Sequence, residues 1–422
     1  MKLEINEDFK QAYDLISQTN DCVFVTGNAG TGKTTFLKYY IGRAQKKTVV
    51  IAPTGVAALN AGGETVHSFF NFKPDITLSK IKKKKLPEKS IYKQVETVII
   101  DEASMLRCDL LDCIDRFFRL NRECYSEPFG GVQMVFIGDL MQLPPVVQKQ
   151  EARIFNSLYK SPYFLSAHSL SECMFHTVEL KKIYRQNEKY FITLLNAVRN
   201  GTAANAELDL LNQKVCAAAP AKPMAVYLTT TNKKASEINY RYLSNIKDEK
   251  AVFTAETENI EENSKMLPAE YELVLKKGAQ VMMLNNDSKG RWVNGSIGSV
   301  ESIKSAPSCD KTLICVKFPD GRIEHVEPYK WELFKYKWND ELKQIETESA
   351  GFFKQYPLKL SWAVTIHKSQ GKTFENVIID MEYGSFVPGQ LYVALSRCSS
   401  FEGVSLSRPL TKRDILTAKF DF

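Results

Sequence analysis

The chain has 422 residues, 44% hydrophobic and 25% charged, with a formal net charge of +7. That is too long for one ordinary core and suggests two or three domains of a globular protein, while the moderate positive excess permits an anionic partner. No apolar run is long enough to cross a bilayer, and Met1–Ile5 has the character of neither a secretory signal nor a transit peptide. The expectation is a cytoplasmic, nucleoid-associated protein with no membrane partner.

Phe9, Ala12, Tyr13 and Ile16 recur at helical spacing and predict a short amphipathic helix. The apolar run Cys22-Val23-Phe24-Val25 predicts the first strand. Next, Gly27-Asn28-Ala29-Gly30-Thr31-Gly32-Lys33-Thr34 fits the pattern G-x-x-x-x-G-K-[ST], and Phe36, Leu37, Tyr40 and Ile41 return to helical spacing. Strand, loop and helix in that order make a phosphate cradle. The glycines allow backbone N–H groups to converge on phosphate oxygens, and the helix N-terminus adds partial positive charge. Gly30, Thr31, Gly32, Lys33, Thr34 and Thr35 are therefore expected to bind a nucleoside triphosphate. Lys33 is expected to reach the β- and γ-phosphates, and Thr34 to ligate Mg²⁺. A chance glycine turn does not account for the full pattern with both flanks.

Thr48–Ala52, Thr97–Ile100 and Val132–Ile137 are further apolar, β-branched runs. Their alternation with helical stretches predicts a parallel sheet whose ligands lie at the carboxyl ends of the strands. Residues 66–92 interrupt that rhythm with an aromatic-then-lysine insertion. Its run Lys82-Lys83-Lys84-Lys85 reads equally as a solvated loop or a nucleic-acid contact. Asp101 and Glu102 end the third run. Asp101 is expected to hold Mg²⁺, and Glu102 to orient and deprotonate the attacking water. After the fourth run, Gly138-Asp139-Leu140-Met141-Gln142 supplies an uncharged donor, Gln142, placed to sense the γ-phosphate, and Pro144-Pro145 stiffens the exit.

A second alternating set is read at Thr177–Leu180, Ala225–Leu228, Gln280–Met283 and Asn376–Ile379. Within it, residues 241–355 have short strand-like runs separated by turns such as Pro319-Asp320-Gly321, which predicts a small antiparallel insertion. The expected domains are 1–172 and 173–422. The nine cysteines form no C-x-x-C pair and read as reduced thiols.

Several strings resemble successive motifs of superfamily 1 helicases: Ala52-Pro53-Thr54-Gly55-Val56-Ala57-Ala58, Thr65-Val66-His67-Ser68-Phe69-Phe70, Asp101-Glu102-Ala103-Ser104, and Gly138-Asp139-x-x-Gln142-Leu143-Pro144-Pro145. Asp112-x-x-Asp115-Arg116-x-x-Arg119 followed by Pro128-Phe129-Gly130-Gly131-Val132-Gln133 resembles the signature of the petite-integration-frequency (PIF) helicases of superfamily 1B. Tyr184-Arg185-Gln186, Val293-Asn294-Gly295-x-x-Gly298, Ala363 to Gly371 and Leu391 to Arg397 agree with it. The resemblance implies an α/β fold of two RecA-like parallel-sheet domains, a small wedge insertion in the first and an SH3-like β insertion in the second. ATP is then expected between the domains and single-stranded DNA across them.

By the same resemblance Arg185 and Arg397 are arginine fingers on the γ-phosphate, and Gln370 and Gly371 contact the nucleotide. Thr54, His67, Asn294, His367, Lys368 and Ser369 line the DNA track. Phe70, Trp292 and Trp362 are aromatic candidates for base stacking, although in a chain with 11% aromatic residues most such rings are expected in the core. Phe9 stands where the family carries an adenine-reading glutamine; either Gln11 or Gln18 substitutes for it, or selectivity for ATP is looser than the family's.

The implied activity is an ATP-dependent 5′-to-3′ DNA helicase. It is expected to translocate on single-stranded DNA, to unwind forked duplex or quadruplex DNA in repair, recombination and replication, and to be monomeric when free. A protein-stripping translocase and a nucleotide-gated DNA-binding protein are the alternatives.

Overall fold

The computed structural model describes residues 5–73, 75–147, 151–184, 188–216, 222–259, 267–306, 311–339, 341 and 344–418. Its contacts divide the chain into two units, residues 1–185 with 334–350, and residues 186–333 with 351–422.

In the first unit, strands β1 (Cys22–Gly27), β2 (Thr48–Ala52), β3 (Glu64–Thr65), β4 (Thr97–Ile100), β5 (Gln133–Gly138) and β6 (Phe175–Leu180) form one sheet in the order β3-β2-β4-β5-β1-β6. Every pairing is parallel. β4 and β5 are buried at every residue, the near-continuous apolar run expected of a parallel strand covered on both faces. Helix α1 (Glu7–Gln18) buries Phe9, Ala12 and Ile16, and the Asn6 side chain caps it by accepting from Phe9 N at 2.9 Å. Together with Phe36, Leu37 and Tyr40 of helix α2 (Lys33–Ile41), these residues pack on Val23, Val25, Val135 and Val178 as one core.

Thr177–Leu180, read from the sequence as opening the second set, lies instead on the edge of the first sheet, in register with β1 from Cys22↔Phe175 to Gly27↔Leu180. Its apolar residues marked a strand without saying which neighbour it would pair with.

The insertion at 66–92 is built of short helical turns, α4 (Val66–Phe70) among them. Phe70 is fully buried, 5.2 Å from the Phe117 ring and 5.3 Å from the Phe118 ring. It is therefore a core residue and not a stacking platform. The lysine run divides: Lys83 pairs with Glu123 at 2.8 Å and Lys84 lies over the Phe117 ring at 5.1 Å, while all four lysines stay exposed to solvent.

The PIF-signature residues act structurally here. Asp112, on the long helix Cys108–Arg122, accepts from Tyr159 Oη at 2.9 Å and from the backbone N and Oγ of Ser169 at 2.9 and 2.8 Å. Asp115 accepts from Arg119 Nε and from Phe129 N, pinning a turn in which Phe129 and Gly130 have φ of 53° and 59°.

The second unit carries a parallel sheet in the order Ala363–Thr365, Val226–Thr229, Val377–Asp380, Val404–Leu406. Beside it in sequence is a five-stranded antiparallel sheet: Ile323–Val326, Lys311–Lys317, Ile297–Ala306, Gln280–Met283 and Leu358–Leu360. Gln280–Met283 thus belongs to the insertion and not to the parallel set, as its antiparallel partners on both sides require. Trp292 is buried in the core of this sheet, and Trp362 stacks on Tyr242 at 5.6 Å, so packing engages both rings.

Candidate nucleotide and nucleic-acid sites

The sheet order explains how the first site assembles. β5 lies between β4 and β1, so three carboxyl ends stand side by side. They carry the loop 27–33, the pair Asp101-Glu102 and the segment Gly138–Gln142. Ligand sites at strand carboxyl ends are the rule for such sheets.

The loop has the shape of a cradle. Gly27 sits at φ 154°, where a Cβ would fall 2.6 Å from Leu180 O and from Thr31 Oγ1. Gly32, at φ 88°, is the N-cap of α2 and offers no side chain to the first helical N–H groups. A helix start without a side-chain cap suits an anion. Lys33 Nζ donates to the carbonyls of Gly27 at 2.7 Å and Asn28 at 3.0 Å, and Thr31 Oγ1 donates to Asn28 O. Thr34 and Thr35 face solvent at the helix start.

Asp101 is 8% exposed and accepts from Glu102 N at 2.9 Å. Burial and the neighbouring Glu102 push its carboxyl up to about 7, against the pull of Lys33. Asp101 supplies a carboxylate beside Lys33, and Thr34 a hydroxyl at the start of α2; oxygen donors of these kinds fit Mg²⁺. Glu102 is half-buried in the left-handed region (φ 50°, ψ 43°), where a non-glycine residue costs about 1–3 kcal/mol and marks functional sites disproportionately. Gly138 makes the fit possible, since a Cβ there would fall 3.1 Å from the backbone N atoms of Ala103 and Ser104. Gln142 is buried, with Nε2 donating to Asp139 Oδ2 at 3.3 Å.

Phe9 is 1% exposed, edge-on to Phe36 at 5.4 Å, and its ring comes within 3.5 Å of where a Gly32 Cβ would stand. It gives the loop an apolar wall and no hydrogen-bonding edge. Gln11 and Gln18 are exposed on α1. Tyr184, quoted above only within a motif string and given no role there, donates from its N–H to Gly30 O at 2.8 Å and lines the same wall. Arg185 lies outside the described residues.

Thr54 caps helix α3 (Gly55–Ala61) by accepting from Ala57 N, and His67 is half-buried in α4 with its pKa lowered by burial. Both follow strands of the first sheet.

In the second unit, His367, Lys368 and Ser369 form one turn after Ala363–Thr365. Lys368 is exposed, while Ser369 is fully buried and donates to Ile366 O at 2.7 Å. Burial lowers His367. Arg397 is 1% exposed: Nε donates to Val393 O, Nη1 to the carbonyls of Lys372 at 3.2 Å and Ser369 at 3.5 Å, and Nη2 to Ser396 Oγ. Gln370 keeps a buried Nε2 without a hydrogen-bond partner, and Gly371 follows at φ 75°. Asn294 accepts from Lys372 Nζ at 2.6 Å, a contact between residues 78 apart that no local pattern reveals.

A phosphate loop with an acidic pair and a polar sensor on neighbouring parallel strands defines a P-loop nucleotide-hydrolase class. The model of the PIF1-like helicase family matches residues 4–209. The ATP-dependent DNA helicase Pif1 of Bdellovibrio bacteriovorus is 31% identical over 417 residues, covering 96% of this chain and 88% of that protein. The Xenopus laevis and human PIF1 helicases are 33% and 32% identical over 90% of this chain, which spans only 58% and 57% of their lengths. Bacteroides Pif1 in complex with ADP-AlF4 is 38% identical with a TM-score of 0.88, over 98% of this chain and 95% of that one. The same protein bound to single-stranded DNA is 39% identical with a TM-score of 0.71, over 99% and 95%. The chain belongs to the PIF1-like helicase family.

Proposed function

We propose that this protein is an ATP-dependent DNA helicase that moves along one strand. The observation carrying this reading is the cradle itself: an uncapped helix N-terminus, Lys33, and the Asp101-Glu102 pair at adjacent strand ends. The related Bacteroides protein takes up ADP-AlF4 and single-stranded DNA, which supports both substrates here.

In this account the loop N–H groups and Lys33 hold the triphosphate. Thr34 and Asp101 would hold Mg²⁺, which would supply neutralisation of phosphate charge. Glu102 takes the proton of the attacking water, and Gln142 senses the γ-phosphate. Arg397, with Arg185, stabilises charge on that phosphate, a task suited to a planar, permanently charged fork. Gln370 and Gly371 contact the nucleotide, the former with its buried unpaired donor. Thr54, His67, Asn294, His367 and Lys368 contact the strand. Ser369 shapes their turn from inside. Breaking a base-pair step costs about 1.4 kcal/mol of stacking, so unwinding needs the coupled reaction.

The resemblance extends the proposal to 5′-to-3′ travel, forked or quadruplex substrates, a role in repair, recombination and replication, a monomer when free, and a cytoplasmic, nucleoid-associated location. Among the described residues no helix is long and apolar enough to cross a membrane. A labelled duplex with either a 5′ or a 3′ overhang tests the activity and its direction. Strand release with ATP from the 5′-tailed substrate is the expected result. Release from neither would leave a translocase or a nucleotide-gated binder, and release from only the 3′-tailed one would reverse the polarity.

A further inference from the structure

Lys372 links two parts of the second unit that the account above treats separately. Its side chain is 8% exposed, and its ammonium donates to Asn294 Oδ1 at 2.6 Å. Its stem packs on Gly295, where a Cβ would fall 3.6 Å from Lys372 Cβ and Cγ. Its backbone carbonyl is one of those that hold the Arg397 guanidinium, with Ser369 O the other in this turn. Between arginine and asparagine lies only the turn 369–372, with Gly371 at φ 75°.

The electrostatic setting is unusual. Burial lowers Lys372 to about 8, and burial with the charges of Lys372 and Lys368 lowers Lys359 to about 7. Glu270 is the carboxylate that faces Lys359 and Lys368. Crowded, partly desolvated ammonium groups gain when an anion such as a strand phosphate arrives. A cleft of about 500 Å³ opens between Val293–Ile297 and Gly371–Asn376, leaving the loop that carries Asn294 room to shift.

We propose that Lys372 is the positioning residue through which nucleotide occupancy changes the grip on the DNA strand. When Arg397 turns from the carbonyls of Ser369 and Lys372 to a phosphate, the turn loses its internal donor. The Lys372–Asn294 hydrogen bond then carries the change to the strand-contacting loop. The proposal rests on the roles given above to Arg397 and Asn294, and it assigns the link between them to one side chain.

The test is the affinity for a fluorescent oligothymidylate, measured nucleotide-free and with ADP–aluminium fluoride. The ratio of the two affinities reports coupling, typically about 5–150-fold in linked sites. In Lys372→Met and Lys372→Gln the ratio is expected to fall close to one, and Lys372→Arg is expected to restore most of it. A melting curve confirms that each variant is folded. A wild-type ratio in folded Met or Gln variants overturns the proposal. So does an equal weakening of both states, which would make Lys372 a plain phosphate contact. Arg397→Ala separates the two levels: wild-type hydrolysis and coupling in that variant would remove the arginine reading itself, whatever Lys372 does.

Discussion

At the scale of single residues, Glu102 and Asp101 carry the sharpest expectations. Glu102→Gln keeps the shape of the site but removes the base, so ATP binding should persist while turnover falls by about 10²–10⁴-fold. Ordinary turnover in that variant would take Glu102 out of the mechanism. Asp101 is held neutral further up the pH scale than an unfolded aspartate, whose reference value is 3.8. With its folded pKa raised, the carboxyl makes the fold less stable as pH climbs from that reference towards about 7, and the penalty is constant above. Asp101→Asn removes the penalty and should raise nucleotide-free stability by an amount that grows over that window and levels off above it. Denaturant unfolding at several pH values checks this, and a pH-independent difference would contradict it. The cradle and the acidic pair were legible because their chemistry is written in consecutive residues. Lys372 was not, nor was the contact of Tyr184 with the loop, because their partners, Asn294 and Gly30, are far away in the chain.

At the scale of elements, an apolar run identifies a strand but not its sheet. Thr177–Leu180 and Gln280–Met283 were both legible as strands. The first pairs with β1 and the second with antiparallel neighbours, choices made by long-range packing. In the aromatic insertion the sequence left Phe70 open between base stacking and the core, with the core expected for most such rings, and its neighbours decide for the core. Phe70 packs among Phe69, Phe72, Phe117 and Phe118, and Phe70→Ala should therefore cost about 3–5 kcal/mol in unfolding stability. Below its melting point the variant should bind single-stranded DNA as the wild type does. An affinity loss with stability intact would restore the stacking role.

For the molecule as a whole, each unit presents its candidate ligands near the carboxyl ends of a parallel sheet, the phosphate loop in one and the 367–372 turn with Arg397 in the other. The alternating pattern made two such sheets legible from sequence, whereas the unit boundary depended on where β6 paired. The central claim is that this site hydrolyses ATP in response to a DNA strand. Steady-state ATP hydrolysis with and without single-stranded DNA tests it most directly. The account predicts stimulation of the wild-type rate by the strand, and a rate in Glu102→Gln that stays low with or without it. Equal rates with and without the strand would contradict it.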